Sequence, residues 1–502
     1  MKLSQLLLAA GIHAPAGEDP LIHGVTDDSR RVQPGWLFVA VQGTQVDGRR
    51  FVPQALEAGA AAVVAMTPAP GEAKAPWIVV PDTQRALGQL AHAFAGRPSD
   101  SMIVVGVTGT NGKTTAAWLI ESMFRAAGRS TALLGTLHYR IGGETYPAPT
   151  TTASACRNAE MFALMRDQGV QAVAMEVSSH AIDQRRIEGI RFRAGVLTNI
   201  TQDHLDYHKT MEEYTSVKQR FFTETIASTP DAVAVFNLDD EAGRRFSRAY
   251  GGEQVGFSQT EDCRVRCLGA QVDLQGVRMR VSLDGQPLDL RSRLLGRFNV
   301  ENILAAVAGG LASGLDCQSI AAGVEAAGGV PGRFQRIDEG QPFLVAVDYA
   351  HTPDALERAL ANARELTAGR LILVFGCGGD RDATKRPKMG FAAGRAADYS
   401  ILTNDNPRTE DPQAIARMAE EGLRRSAPSP HAYEVTLDRR LAIQRALEMA
   451  EPGDFVLIAG KGHEDYQLIG SQRIHFDDRE TARELLRARF CGGGLKTPLS
   501  QG

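Results

Sequence analysis

Met102-Ile103-Val104-Val105-Gly106-Val107-Thr108-Gly109-Thr110-Asn111-Gly112-Lys113-Thr114-Thr115 is the stretch that decides the fold. The apolar run Met102 to Val107 predicts a buried strand, a glycine-rich turn follows, and Thr114 to Ala127 predicts a helix stopped by Gly128. Strand, glycine-rich loop and helix in this order let successive backbone N–H groups surround phosphate oxygens at a helix N-terminus. Lys113 is then placed for the terminal phosphates and Thr114 for a magnesium ion. The spacing departs from the common phosphate-binding loop, because Val107 stands six positions before Lys113 and the early glycines are Gly106 and Gly109.

The alternation continues outward. Thr131 to Leu134, Ala172 to Glu176, Gly195 to Leu197 and Ala232 to Asn237 are further predicted strands with helical patterns between them, which implies a largely parallel sheet covered on both faces. Before it, Trp36 to Val41 and Ala61 to Met66 predict strands of a first α/β domain that closes at Gly96-Arg97-Pro98-Ser99. After it, the polar stretch Cys263 to Arg293 predicts β-hairpins, Glu301 to Leu311 a helix, and Gly328, Gly329, Pro331 and Gly332 a boundary. A third alternation has Phe343 to Val347, Leu371 to Phe375, Ser400 to Thr403 and Phe455 to Ala459 as strands, with helices starting near Pro353, Pro412 and Arg439. The expected fold class is α/β in three domains, residues 1–97, 98–335 and 336–490, followed by a glycine-rich tail, 491–502, expected to be disordered.

Composition narrows the function classes. Hydrophobic residues make up 43% and charged residues 23%, as in ordinary globular proteins, and the net charge of -4 offers no long-range attraction to nucleic acid or anionic membrane. No apolar run approaches the length of a membrane span, and the first fifteen residues predict an amphipathic helix ending at Gly11 rather than a signal peptide. The six cysteines are scattered, with only Cys263 and Cys267 close together and no second pair for zinc, so reduced thiols in a cytoplasmic protein are expected, a monomer by default.

The Gly-Thr-Asn-Gly-Lys-Thr-Thr loop resembles that of the Mur ligases and folylpolyglutamate synthetases, which form amide bonds through an acyl phosphate. A carboxylate is a poor electrophile, and taking the ATP γ-phosphoryl group gives it a leaving group that an amine can displace. Two anions must meet, so magnesium and fixed cations have to offset their repulsion. Glu176 ends a predicted strand and His204 follows another, at the strand ends where α/β sites are built. Either residue alone is as readily a surface or capping group; a phosphate loop in the same sheet favours the site. His180 and Asp203 stay open between the two. Lys218 lies on a predicted helix among apolar neighbours, where it either snorkels or, with its pKa lowered by burial, reacts with carbon dioxide to give a carbamate.

The resemblance to the Mur ligases extends over nearly the whole chain, and what it implies is specific. Gly109, Thr110, Asn111, Gly112, Lys113, Thr114 and Thr115 would hold ATP, with Asn302 and Arg333 near the nucleotide; His351, like Arg333, would approach the phosphates on domain closure. Thr114, Glu176, His204 and Lys218 as an N6-carboxylysine would serve at the magnesium site, making Lys113, Glu176, His204 and Lys218 the catalytic set. The first domain would bind the UDP end of the substrate through Asp27, Ser29, Thr44, Gln45 and Val46. Thr151, Thr152, Ser178, Gln184 and Arg186 would hold its muramoyl-dipeptide end, although Ala153 stands where the family often has proline, so the register of the threonine pair could slip by one.

The last, Rossmann-like domain would bind the incoming amino acid through Arg381, Asp405, Asn406, Pro407, Arg408, Gly460 and Glu464. An arginine at 408 suits the second carboxylate of meso-diaminopimelate, which L-lysine lacks. The implied partners are therefore ATP, UDP-N-acetylmuramoyl-L-Ala-D-Glu and meso-diaminopimelate. The rivals are an L-lysine-adding relative, a folylpolyglutamate-synthetase-like ligase, and a nucleotide-binding switch without ligase activity.

Overall fold

The computed structural model describes residues 1–490 except 15–16, 44–45 and 72–74, so the tail Cys491–Gly502 and the expected contacts Thr44 and Gln45 lie outside the described residues. Short runs of β-branched and small residues near the N-terminus pair in parallel as β1 (Gly24–Thr26), β2 (Trp36–Val39), β3 (Ala62–Ala65) and β4 (Trp77–Val79), in that order. Side chains alternate between the faces: Leu37 and Val39 enter a core with Leu6, Leu7, Leu87 and Leu90, while Phe38 and Ala40 pack with Val52 and Ala55. The first of these cores also takes in Ala155, Cys156 and Ala159 of the later helix Ala155–Asp167.

Packing divides the chain into two units. One comprises Met1–Cys267, Val281–Leu288 and Asn302–Ala326, and the other Leu268–Arg280, Asp289–Glu301 and the chain from Ala327 onward. The N-terminal layer thus belongs with the middle sheet, because the helix Ala155–Asp167 buries part of its surface in the N-terminal core.

In the first unit the decisive apolar stretch forms β5 (Ile103–Thr108). It is joined by β6 (Thr131–Leu134), β7 (Tyr139–Ile141), β8 (Glu144–Tyr146), β9 (Ala172–Glu176), β10 (Ala194–Leu197), β11 (Val233–Asn237) and β12 (Gln254–Ser258). The order β12–β11–β10–β5–β9–β6 is parallel throughout, with β7 and β8 added antiparallel beyond β6. Every residue of β9, β10 and β11 is buried, which is why these strands read as unbroken apolar runs. The register sets Val107 beside Glu176 and Thr108 beside Leu197, so β5, β9 and β10 end together. Gly106 serves this packing: a Cβ there would lie 2.7 Å from Phe192 and 2.8 Å from Phe221. The hairpins expected from the polar stretch are β13 (Val265–Asp273), β14 (Gly276–Leu283) and β15 (Gln286–Ser292).

The second unit has its own sheet of β16 (Gln335–Arg336), β17 (Leu344–Asp348), β18 (Leu371–Cys377), β19 (Tyr399–Asn404), β20 (Tyr433–Val435) and β21 (Phe455–Ala459), followed by the hairpin β22 (Tyr466–Ile469) and β23 (Gln472–His475). Its order is β16–β17–β21–β18–β19–β20, parallel except for β16. The C-terminal ends of β18, β19 and β21 therefore open on one edge, where α/β sheets bind ligands. Cys156, Cys263, Cys317 and Cys377 are free thiols, and no described helix is long and apolar enough to cross a membrane.

His92, on the helix Thr83–Phe94, is 1% exposed, lies edge-on to Phe162, and neither ring nitrogen meets a hydrogen-bond partner among the described residues. Burial lowers its pKa from 6.5 to about 4, so the folded chain keeps the ring neutral while the unfolded chain takes up a proton. The unfolded state binds more protons, and this contribution, whole above pH 6.5, is lost as pH falls toward 4. Relative to a His92→Leu variant, the wild type should lose roughly 2 kcal/mol of stability between pH 7 and 5, read from urea unfolding. A difference that does not move with pH would contradict this.

Candidate active site

The loop leaving β5 is tied to the residues that follow β10. Thr110 N–H donates to Asn199 O (2.8 Å), Asn111 N–H to Asn199 Oδ1 (3.0 Å), Thr198 Oγ1 to Asn111 O (2.6 Å), and Thr201 N–H to Thr110 Oγ1 (2.9 Å). Two glycines make this approach possible. Gly109 has φ +143° and a Cβ there would fall 1.9 Å from Thr198 Oγ1; Gly112 has φ +85° and its Cβ would fall 2.2 Å from Asn302 Oδ1. The helix Lys113–Ala126 begins at once, presenting its N-terminal end to the loop.

Two ammonium groups converge on one carbonyl. Lys113 Nζ donates to Gly109 O (2.9 Å) and Thr110 O (2.8 Å), and Lys218 Nζ donates to the same Gly109 O (2.9 Å). Lys218 comes from the helix Met211–Arg220, is 1% exposed, and lies over the Tyr214 ring at 4.8 Å, whose hydroxyl is 3.1 Å from Thr110 Oγ1. Burial first and the charge of Lys113 second hold the Lys218 pKa well below the ordinary lysine value, while Asp203 opposes them.

Glu176, at the end of β9, accepts from Thr136 N–H (2.8 Å), Thr136 Oγ1 (3.1 Å) and Thr114 Oγ1 (3.1 Å). A hydroxyl and a carboxylate so placed at a phosphate loop are the oxygen donors a magnesium ion takes alongside phosphate oxygens, so the residues fit that ion. His204 adds an imidazole 3.4 Å from Asp203 Oδ2; protein atoms crowding it lower its pKa, partly offset by Asp203, although the ring still reaches solvent. The His180 ring stands edge-on to it at 5.0 Å. Lys218 fits a cation site only as an anion, that is, as a carbamate.

The same polar chain continues to the residues assigned to the dipeptide. Thr151 Oγ1 is 3.1 Å from Thr136 Oγ1, and Thr152 Oγ1 donates to Glu176 O (2.8 Å) and accepts from Ser178 N–H (3.1 Å). Thr150 turns instead to its own loop, donating to Thr152 O (2.9 Å). Arg186 forks onto Gln184 Oε1 (3.0 and 2.6 Å) and donates to Thr152 O (3.1 Å). In the N-terminal layer, Ser29 Oγ donates inward to Gln54 Oε1 (2.9 Å), burial raises the Asp27 carboxyl pKa, and Val46 is exposed.

In the second unit the loops after β19 and β21 meet. Lys461, fully buried, places Nζ 3.4 Å from Asp405 Oδ1, 3.2 Å from Asn406 Oδ1 and 3.3 Å from Glu464 Oε2, and Asn406 Nδ2 donates to Glu464 Oε2 (2.8 Å). Burial and the neighbouring Asp405 raise the Glu464 pKa. Arg408, at φ +53°, donates to Gly379 O (2.6 Å), which brings it to the loop after β18; Pro407 O packs so closely on Gly379 that a Cβ there would lie 1.9 Å away. Arg381 is exposed and reaches only the neighbouring Asp380 O (3.4 Å). Arg333 stacks over the Tyr349 ring at 4.7 Å. Thr136, Thr198, Asn199, Tyr214 and Lys461 escape the sequence reading; the signal for Thr198 and Asn199 was their place directly after a predicted strand.

Residues 107–310 match the Mur ligase middle domain, 332–462 the Mur ligase glutamate ligase domain, and 21–95 the Mur ligase family catalytic domain. A UDP-N-acetylmuramoyl-L-alanyl-D-glutamate--2,6-diaminopimelate ligase of Solibacter usitatus (strain Ellin6076) is 43% identical over 490 residues, covering 97% of this chain and 98% of its own. A ligase of the same description from Geobacter metallireducens is 44% identical over 481 residues, covering 93% and 94%. Among solved structures, another ligase so described superposes with a TM-score of 0.71 at 34% identity, covering 97% of this chain and 99% of its own. A Mycobacterium tuberculosis folylpolyglutamate synthase complexed with ADP and AMPPCP superposes with a TM-score of 0.61 at 20% identity, covering 79% and 93%, a likeness of fold.

Gly112→Ala should weaken ATP binding at least tenfold by titration calorimetry, because the new methyl meets Asn302 at a backbone angle that L-residues rarely adopt. Unchanged affinity would mean that the loop relaxes without cost.

Proposed function

This chain belongs to the Mur ligase family, and on that premise we propose that it joins the amine of meso-diaminopimelate to the D-glutamate γ-carboxylate of UDP-N-acetylmuramoyl-L-Ala-D-Glu. ATP is cleaved to ADP and phosphate, and the product is the UDP-linked tripeptide of peptidoglycan precursor synthesis. The observation that carries this reading is the presence, in one chain, of two chemically distinct sites. One is a phosphate loop whose Thr114 is bonded to Glu176, and the other a set of strand ends where Arg408, Asn406, Lys461 and Glu464 offer charges of both signs to a zwitterion.

Gly109 to Thr115, Asn302 and Arg333 hold ATP. Lys113, anchored on the loop carbonyls, is the cation that meets the terminal phosphates. Thr114, Glu176 and His204 would hold magnesium, which when bound would neutralise phosphate charge. Asp27, Ser29, Thr44, Gln45 and Val46 take the UDP end, and Thr151, Thr152, Ser178, Gln184 and Arg186 the dipeptide end, where Arg186 is already oriented by Gln184. The carboxylate attacks the γ-phosphorus, ADP leaves, and the amine then displaces phosphate from the acyl phosphate and loses a proton. Arg408 takes the distal carboxylate of the acceptor, Arg381 adds a second cationic contact to it and Glu464 pairs with an ammonium group, with Asp405, Asn406, Pro407 and Gly460 shaping the loops. The reaction is placed in the cytoplasm, where ATP is supplied, and a monomer suffices for it.

Lys218 is carbamylated in the working enzyme. Its lowered pKa makes the neutral amine available to carbon dioxide, and the carbamate replaces a cation beside Lys113 with an anion suited to magnesium.

Phosphate release from ATP with the UDP-dipeptide present should be stimulated strongly by meso-diaminopimelate and at least roughly a hundredfold less by L-lysine, which leaves Arg408 without a carboxylate to pair with. Stimulation by L-lysine would overturn the acceptor, and nucleotide binding without turnover under any acceptor would overturn the ligase reading. Lys218→Ala should lose activity by at least a hundredfold while its circular dichroism stays native, and bicarbonate with short-chain acids should restore part of it. Normal turnover in that variant would remove the carbamate from the mechanism.

A further inference from the structure

We propose that Arg439 is a positioning residue of the amino-acid site: one buried guanidinium sets the spacing between the loop at Asp405 to Arg408 and the loop at Gly460 to Glu464. The inference rests on the acceptor reading above. β19 and β21 are not neighbours, because β18 runs between them, so no ladder of hydrogen bonds couples their ends. Arg439, the first residue of the helix Arg439–Met449, spans that gap. Its Nη1 donates to Asn404 O (3.1 Å), on the last residue of β19, and its Nη2 to Ala459 O (2.9 Å), on the last residue of β21.

The remaining edge of the guanidinium is fixed. Nε and Nη2 donate to the two carboxylate oxygens of Asp478, each at 2.7 Å, and both side chains are 0% exposed. Asp478 opens the helix Asp478–Phe490, so the plane of the guanidinium is held from behind while its front holds both strand ends. The guanidinium lies directly under the site: a Cβ on Gly460 would be 3.4 Å from Asp405 Oδ2 and 3.9 Å from Arg439 Nη2. Asp405 and Glu464 both stabilise its charge, after Asp478.

Nothing in this arrangement requires Arg439 to touch the amino acid. A buried ion pair is a weak source of net stability, since apolar replacement of both partners is often neutral. What the pair supplies is geometry: the four hydrogen bonds of Arg439 use donors fixed in one plane, and a lysine ammonium has only three donors and no such plane.

The test measures initial rates of phosphate release for the wild type, Arg439→Lys, and the double variant Arg439→Met with Asp478→Leu, varying each of the three substrates in turn. In both variants KM for meso-diaminopimelate should rise roughly tenfold or more while KM for ATP and for the UDP-dipeptide stays within twofold. A fall in kcat with an unchanged acceptor KM, or a rise of all three KM values together, would overturn the proposal, since either is what general structural damage gives. The double variant keeps the test valid if Arg439→Lys does not fold. If the wild type proves to use L-lysine, the acceptor reading fails and the same KM comparison, run on L-lysine, still decides the role of Arg439.

Discussion

The site in the first unit depends on one constraint, the place of β5 between β9 and β10 in a parallel sheet. Because the three strands end level, the chain leaving β5 has Glu176 on one side and Thr198 and Asn199 on the other; its backbone bonds to the latter pair, and its Thr114 hydroxyl to Glu176. Gly109 and Gly112 follow from that closeness, since any side chain there would occupy the space of Thr198 or Asn302. The loop is held both by these neighbours and by Lys113, which bonds the carbonyls of Gly109 and Thr110.

The charge arrangement has a similar origin. Lys113 and Lys218 approach the Gly109 carbonyl from a helix start and from a separate helix, and water is excluded from the second of them. Two cations sharing one acceptor repel each other more strongly away from solvent, so the pair is relieved by an anion between them or by loss of charge on Lys218. The first outcome favours the anionic substrates of phosphoryl transfer.

Much of this was legible in the sequence because the relevant signals are local. The strand, glycine loop and helix around Lys113, the strand ending at Glu176 and the three α/β alternations all stand where periodicity put them, with shifts of up to three residues: the strand from Trp36 ends at Val39 instead of Val41, and the helix expected from Glu301 begins at Phe298. Strands of three residues such as β1, β4 and β20 escaped because so short a run shows no period. Gly106 looked like part of the phosphate loop but packs against Phe192 and Phe221, a distinction that only tertiary contact reveals. Arg439 and Lys461 were unreadable for the opposite reason: a charged residue in sequence looks solvated, and only the fold shows it enclosed by carboxylates and carbonyls.

The helix Ala155–Asp167 gives three small residues to the N-terminal core, and that small contribution has an evolutionary consequence. A domain whose interior is closed by its neighbour is not a portable module. Cut away, the first layer would lose Ala155, Cys156 and Ala159 from its interior, and a foreign layer grafted in its place would have to present a matching hollow. Recombination can therefore exchange this layer only together with the helix that seals it, which ties the inheritance of the N-terminal layer to that of the sheet carrying the glycine-rich loop.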